Sequence, residues 1–140
     1  MILMGRRSEP KPLFDDPEFP FSSNFPGSFS TRLAALLLCL EITNALNLSS
    51  EEQSLRFLQK ISSKIRKLMV ADDRFVKLID EFGELRLNFP SSELEASEDY
   101  MALLRELYSK LDDFEAARQI FEKLVETLAV LRLTHELGRD

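Results

Sequence analysis

The uneven distribution of proline is the feature of this sequence that most restricts its fold. Five of the six prolines in the 140-residue chain lie in residues 1–29, and Pro90 is the only one after them. Proline removes a backbone donor, so it breaks the interior of a helix and is kept out of central strands. We therefore predict an extended N-terminal arm over residues 1–29 and a single regular domain over residues 30–140.

The composition predicts that this domain is helical. Leucine occurs 25 times in the chain, whereas valine, isoleucine and threonine together occur 14 times. Leucine loses little rotamer freedom in a helix, and β-branched side chains lose more. The four glycines leave few residues for hairpin turns. The predicted fold is all-α, a compact antiparallel bundle of four to five helices with an extended Pro/Phe-rich N-terminal arm.

Capping residues and apolar spacing divide the domain into helices. The first of these is apolar on nearly every side, which predicts a central, buried helix. Gly83 weakens the third helix locally, and an early end at this glycine is the alternative to a helix that runs to about residue 87. Residues 97–137 fit either one helix of about 40 residues or a hairpin that turns at Asp112 and Asp113, and the paired aspartates favour the hairpin. The other predicted elements are helices over roughly 30–46, 50–70 and 73–87 and a short turn that begins near residue 91.

Leu104, Tyr108, Phe114, Ala117 and Phe121 fall at the spacing of one repeat family around that turn. Residues 98–129 thereby resemble a tetratricopeptide repeat, a helix–turn–helix unit of about 34 residues. The resemblance implies two helices that approach closely at the small residue and hold the aromatic side chains between them. A plain amphipathic hairpin in a bundle fits the same spacing. The chain departs from the family pattern at Arg105, Leu124 and Ala129.

Phenylalanines in the arm are the first candidates for contact with a partner. Disordered tails are poor in aromatic residues, so an arm with regularly spaced phenylalanines is expected to dock on a surface. Docking on the chain's own helical core is the favoured interpretation, and insertion into the pockets of another protein is the alternative. The side chains predicted to bind are Phe14, Phe19, Phe21 and Phe25.

The distribution of charge is the second candidate feature. The net charge of −6 combines a basic segment with a strongly acidic one. Residues 30–70 hold six Lys and Arg against three Asp and Glu, and residues 71–140 hold nine against seventeen. Four basic residues, namely Arg56, Lys60, Lys64 and Lys67, lie within an arc of about 80° on the second helix. This basic face is expected either to be solvated and to face the acidic later helices, or to dock on an acidic partner or an anionic membrane.

The sequence contains no recognisable catalytic or cofactor-binding motif. The single cysteine, Cys39, lies among apolar residues, and the single histidine, His135, lies in the last helical turn. One cysteine and one histidine provide neither a zinc site nor a His-based triad, and the isolated glycines form no phosphate-binding loop. We therefore expect no metal, no cofactor and no enzyme. The least favoured reading is an enzyme that works through carboxylates alone.

The predicted function is a non-catalytic protein–protein interaction module: a small adaptor, scaffold or assembly subunit acting through its helical surface and its arm. The wide apolar face of the last helix predicts burial against a partner or in a homodimer. The alternative is a peripheral membrane or nucleic-acid binder that uses the basic face, although the acidic balance disfavours nucleic acid. The lone cysteine and the absence of a spanning or signal segment predict a cytoplasmic protein.

Overall fold

The computed structural model describes residues 25–87 and 89–138, which form helices and no strands. This confirms the predicted all-α bundle. A short helix of five residues, at the position of the predicted turn, raises the number of helices in this part of the chain to six. The helices are α1 (Phe29–Ala45), α2 (Glu51–Ala71), α3 (Asp73–Arg86), α4 (Ser91–Glu95), α5 (Glu98–Lys110) and α6 (Phe114–Leu137).

Side-chain caps fix where the long helices begin. Ser28, Ser50, Asp72 and Asp113 each accept a hydrogen bond from a backbone N–H in the first turn of the helix that follows. Such a cap satisfies a donor that has no partner inside the helix. Because Asp113 caps a new helix after α5 has ended at Lys110, the hairpin is the correct alternative and a continuous helix over residues 97–137 is excluded.

Helix α1 lies at the centre of the bundle and packs against α2, α3 and α5. Thr31 is hydrogen-bonded to Asp80, and Glu41 is paired with Arg86, so α1 and α3 run in the same direction with the antiparallel α2 between them in the chain. Helix α6 closes the bundle by packing on α5 and α3. The core combines aliphatic side chains with the fully buried rings of Phe75, Phe82, Tyr100 and Phe121.

The structure settles where α3 ends and corrects one expectation about α1. Helix α3 runs to Arg86, close to the predicted end, and does not stop at Gly83. A Cβ on Gly83 would lie only 2.5 Å from the Cβ of Ala34 in α1. The glycine therefore lets two helices approach closely rather than ending one of them. Helix α1 is central but not buried on all sides: Phe29, Leu33 and Leu40 are exposed.

Candidate functional site

The described part of the arm anchors it to the bundle. Phe25 is 3% exposed and belongs to the hydrophobic core. Gly27 has φ +96°, and a Cβ there would lie 2.8 Å from the Thr31 side chain, so glycine is needed for the turn that leads into α1. Phe25 thus packs on the chain's own core, the favoured interpretation of the arm. The other three predicted arm residues lie outside the described residues: Phe14, Phe19 and Phe21.

The basic face of α2 is present in the structure, and several of its side chains contact acidic or aromatic residues of the same chain. Arg56 pairs with Glu52 one turn earlier, and the Lys60 ammonium lies 5.8 Å from the centre of the Phe57 ring. Lys67 is exposed near Asp112. The structure therefore places all four predicted basic residues on α2. Asp112, in the turn between α5 and α6, lies beside this face.

Lys64 makes the contact that joins the basic face to the later helices. Its Nζ lies 2.5 Å from Oδ2 of Asp112, between α5 and α6. The hydrogen bond and charge of Lys64, with smaller effects of Lys67 and Lys60, hold the pKa of Asp112 below its ordinary value. This contact agrees with the expectation that the basic face is turned toward acidic residues of the later helices.

The direction of the Asp112 shift predicts a pH dependence. A carboxyl with a lower pKa in the folded protein stabilises the fold above its unfolded pKa of about 4, and this contribution is lost as the pH falls through the folded pKa. Asp112→Asn should therefore lower the free energy of unfolding at pH 7, and its difference from wild type should shrink as the pH falls below about 4. Urea titrations of both proteins at several pH values measure this. A difference that grows toward low pH would contradict the assignment.

An acidic groove of about 580 Å³ runs between α3 and α6. Its floor is apolar, and exposed carboxylates line both edges, which gives it a hydrophobic base and a negative rim. The exposed Leu133 lies on the side of α6 that carries Glu126 and Ala129, so the apolar surface continues toward the end of the helix. The lining residues are Leu78, Leu85, Val125 and Ala129 on the floor and Glu81, Glu84, Glu122 and Glu126 at the edges.

Most of the carboxylates in this acidic groove have no cationic partner in the described part of the chain. Glu122 pairs with Arg118, one turn earlier on α6. No ion pair joins Glu81, Glu84 or Glu126 to a Lys, Arg or His of the described residues; Arg132 donates to the backbone carbonyl of Glu84 and not to its carboxylate. Three of the four rim carboxylates therefore have no ion pair within the described residues, beside an apolar floor.

A second groove of about 360 Å³ lies between α1 and α3, next to the acidic groove, since Glu84 lines both. Leu33, Leu37 and Leu87 line it together with Ala34 and Gly83 at the close helix crossing. We refer to it as the α1–α3 groove. Leu87 is 57% exposed, and Phe29, at the start of α1, is 63% exposed. Phe29 does not line the groove and adds exposed apolar surface at the start of α1.

A polar network links four segments of the chain: α1, α3, the segment from Phe89 to Ser91, and α5. The Arg86 side chain is 8% exposed and that of Glu41 13% exposed, and Nε of Arg86 lies 2.5 Å from Oε1 of Glu41. The two remaining nitrogens of Arg86 donate to the Phe89 carbonyl at 2.8 Å and to the Ser91 hydroxyl at 2.9 Å. Tyr100 donates to the same Glu41 oxygen at 3.0 Å. Burial and the Glu41 charge raise the pKa of Tyr100, so this hydroxyl acts as a donor.

Cysteine and histidine often serve as nucleophile and base in enzymes. In this chain, Cys39 lies in the core and His135 contacts a neighbouring helix. Cys39 is fully buried, and desolvation raises its pKa to about 12, an effect that the nearby Ser62 only partly offsets. Nδ1 of His135 lies 2.7 Å from Oε2 of Glu93, and its ring lies 5.4 Å from that of Phe89. His135 thus joins the end of α6 to α4.

The described residues contain neither a metal-binding cluster nor a membrane-spanning helix. No group of three or more His, Cys, Asp or Glu is arranged to hold a metal ion in residues 25–87 and 89–138. Within the same residues, no helix is long and apolar enough to cross a membrane.

The side chains at the tetratricopeptide-like positions are either fully buried or in contact with aromatic rings of other helices. Leu104, Ala117 and Phe121 are fully buried. The rings of Tyr108 and Phe114 instead contact aromatic rings of other helices, Phe57 of α2 at 5.6 Å and Phe75 of α3 at 5.0 Å. These aromatic side chains therefore join the α5–α6 hairpin to the rest of the bundle.

Sequence reasoning missed both grooves and the polar network, because each combines residues from helices that are distant in the chain. The spacing of Glu122, Glu126 and Ala129 on one side of α6 was the available signal for the acidic groove. Comparisons of the chain with protein-family models, with curated proteins and with solved structures found no match.

Proposed function

We propose that the protein is a non-catalytic protein–protein interaction module that binds a basic, amphipathic segment of another protein in the acidic groove between α3 and α6. The observation that carries the proposal is the combination of an apolar floor with the unpaired carboxylates of Glu81, Glu84 and Glu126. An adaptor, scaffold or assembly subunit needs a surface of this kind.

The chemistry of the groove selects its partner. An amphipathic helix lays its apolar side into a hydrophobic groove in a common mode of peptide recognition. Lysine and arginine on the edges of such a helix would meet the carboxylates on both walls, which favours basic partners and speeds their association. A neutral or acidic segment would leave the carboxylates unpaired, so the groove also discriminates against it.

The positions of Cys39 and His135 support a non-catalytic role. A nucleophilic cysteine works as the thiolate, and burial with a pKa of about 12 leaves Cys39 a thiol at neutral pH. A reduced, buried cysteine also suits the proposed cytoplasmic location. The tetratricopeptide-like character of the α5–α6 hairpin remains a separate proposal; Leu104, Ala117 and Phe121 are buried in it, as such side chains are in any packed helical hairpin.

Removing three groove charges tests the proposal. We expect the triple variant Glu81→Gln, Glu84→Gln, Glu126→Gln to bind a synthetic Leu/Lys amphipathic helical peptide about tenfold more weakly than wild type, since each rim charge contributes up to roughly 0.5 kcal/mol. Titration calorimetry at two salt concentrations measures the affinity, and the wild-type affinity should fall as salt rises.

The matched control removes three carboxylates outside the acidic groove: Glu51→Gln, Glu95→Gln and Glu106→Gln. It changes the net charge by the same amount and should bind the peptide like wild type. Equal weakening in both variants would show attraction to the overall negative charge. That result, or no binding by the wild-type chain, contradicts the proposal.

The second candidate is a peripheral membrane or nucleic-acid binder, favoured by the exposed Lys60 and Lys67 on α2. Binding to anionic liposomes or to an oligonucleotide that is lost in Lys60→Glu, Lys64→Glu, Lys67→Glu would support it.

Homodimerisation also remains a proposal. The bundle itself covers Leu124, Val125 and Leu128 of the wide apolar face and leaves Leu133 exposed.

A further inference from the structure

We infer that the partner segment bound in the acidic groove continues across α3 into the α1–α3 groove. The segment would carry a short basic stretch between two apolar anchors, one for each groove. This inference rests on the proposed function, because it extends the binding site proposed there. It makes α3 the centre of one continuous interface and defines the partner more narrowly than a basic amphipathic segment.

The two grooves lie on adjoining sides of α3 and meet at Glu84. The acidic groove separates α3 from α6, and the α1–α3 groove separates α3 from α1. Glu84 lines both of them, and its backbone carbonyl accepts a hydrogen bond from Arg132 of α6 at 3.2 Å. A ligand that extends past Glu84 from one groove therefore enters the other without leaving the protein surface.

Three exposed carboxylates form a ridge between the two grooves, which we call the α3 ridge: Asp80, Glu81 and Glu84. They lie within an arc of about 100° on the helix. The Thr31 hydroxyl donates to Oδ1 of Asp80 at 2.7 Å, a neutral contact that leaves the charge of Asp80 uncompensated. Among the described residues, no Lys, Arg or His forms an ion pair with the ridge, including the exposed Lys77 one turn earlier. The ridge therefore favours a cationic ligand on both of its sides.

Each side of the α3 ridge has its own apolar floor. The floor of the acidic groove was described above, and Leu33, Leu37 and Leu87 line the α1–α3 groove. Leu33 is 41% exposed and Leu87 57% exposed. Neighbouring exposed apolar side chains next to charged residues are typical of surfaces that bind another molecule. Because Asp80 and Glu84 stand at the edge of this floor, its ligand has to combine an apolar anchor with positive charge.

The separation of the two floors sets the length of the basic stretch. Packed helices lie about 8–10 Å apart, so a ligand that crosses α3 from one groove to the next covers roughly 10 Å. An extended chain advances about 3.3 Å per residue. About three residues therefore separate the two apolar anchors, and lysine or arginine at these positions would meet the α3 ridge.

Extended peptides test the inference by titration calorimetry. The Leu/Lys helical peptide is prepared with Lys-Lys-Lys-Leu added at one terminus or the other, and the reference peptides end in Lys-Lys-Lys-Ser. Both extensions add the same charge, so only the second apolar anchor differs. At one of the two termini we expect the leucine extension to bind about tenfold more tightly than the serine extension, because burial of one leucine suffices for a factor of this size.

Variants locate the second anchor. Leu33→Ser, Leu87→Ser should abolish the leucine gain and leave the affinity for the unextended peptide unchanged, since neither residue lines the acidic groove. The matched control, Leu55→Ser, Val70→Ser, replaces two exposed apolar residues of α2 and should keep the gain. Both pairs change exposed side chains, so the bundle should remain folded in each.

The outcomes separate this inference from the proposed function. Equal affinities for the leucine and serine extensions at both termini overturn the inference, and the proposed function stands if the unextended peptide still binds. The same equality is expected where a second copy or another part of this chain covers the α1–α3 groove. A gain that survives Leu33→Ser, Leu87→Ser also overturns the inference, because the anchor then lies elsewhere. Absence of binding by every peptide overturns both.

Discussion

Replacing Arg86 with methionine is expected to lower the free energy of unfolding by about 3–5 kcal/mol, the usual cost of removing one partner of a buried ion pair. The loss arises because Glu41 would keep its charge in a nearly buried position with only the Tyr100 hydroxyl as a neighbour. The Phe89 carbonyl and the Ser91 hydroxyl would also lose their donor. Urea unfolding followed by circular dichroism measures the change.

Two companion variants separate charge burial from hydrogen bonding. Tyr100→Phe removes one hydrogen bond to Glu41 and should cost about 1 kcal/mol. The double variant Glu41→Leu, Arg86→Met leaves no buried charge, so it should be more stable than Arg86→Met alone. A cost below about 1 kcal/mol for Arg86→Met would show that water, rather than the arginine, solvates Glu41.

Gly83→Ala should destabilise the protein by about 1–3 kcal/mol, even though alanine is favoured over glycine by about 1 kcal/mol inside a helix. The added methyl group would lie 2.5 Å from the Cβ of Ala34 and would force α1 and α3 apart. If Gly83 only weakened its helix, Gly83→Ala would raise the free energy of unfolding. The sign of the measured change therefore shows whether Gly83 merely weakens α3 or is needed for the close approach of α1 and α3. Thermal unfolding and urea unfolding both measure this change in stability.

The compensating substitution provides the control. Ala34→Gly removes the methyl group that Gly83→Ala would meet, and the two together should cost less than the sum of their separate effects. Additive costs would place the damage elsewhere than at this crossing. An increase in stability for Gly83→Ala alone would show that the helices separate freely at this point.

The elements of the fold could be predicted because their determinants are local. Ser50, Asp72 and Asp113 cap the helices that follow them, and a cap acts on residues only two or three positions away. The choice of a hairpin over a long helix rested on the same kind of signal, at Asp112 and Asp113. By contrast, helix propensity assigns Gly83 a purely unfavourable role, since it contains no information about Ala34 in another helix.

The candidate sites were harder to predict because they depend on which helices become neighbours. The basic face lies within one helix, and its four residues could be placed from periodicity alone. Glu81 and Glu126 are 45 positions apart in the chain, and only the packing of α3 on α6 makes them two walls of one groove. Nothing within α1 itself indicates that Glu41 pairs with Arg86, because this ion pair depends on the parallel alignment of α1 and α3.

The position of α4 determines when this part of the chain can fold. A helix of five residues is far too short to form alone in water. Leu94 needs the core around it, Ser91 needs Arg86, and Glu93 needs His135 from the end of α6. These partners come from both earlier and later segments of the chain. We therefore expect α4 to become ordered only after α6 has emerged during synthesis, so that its ordering marks the completion of the bundle.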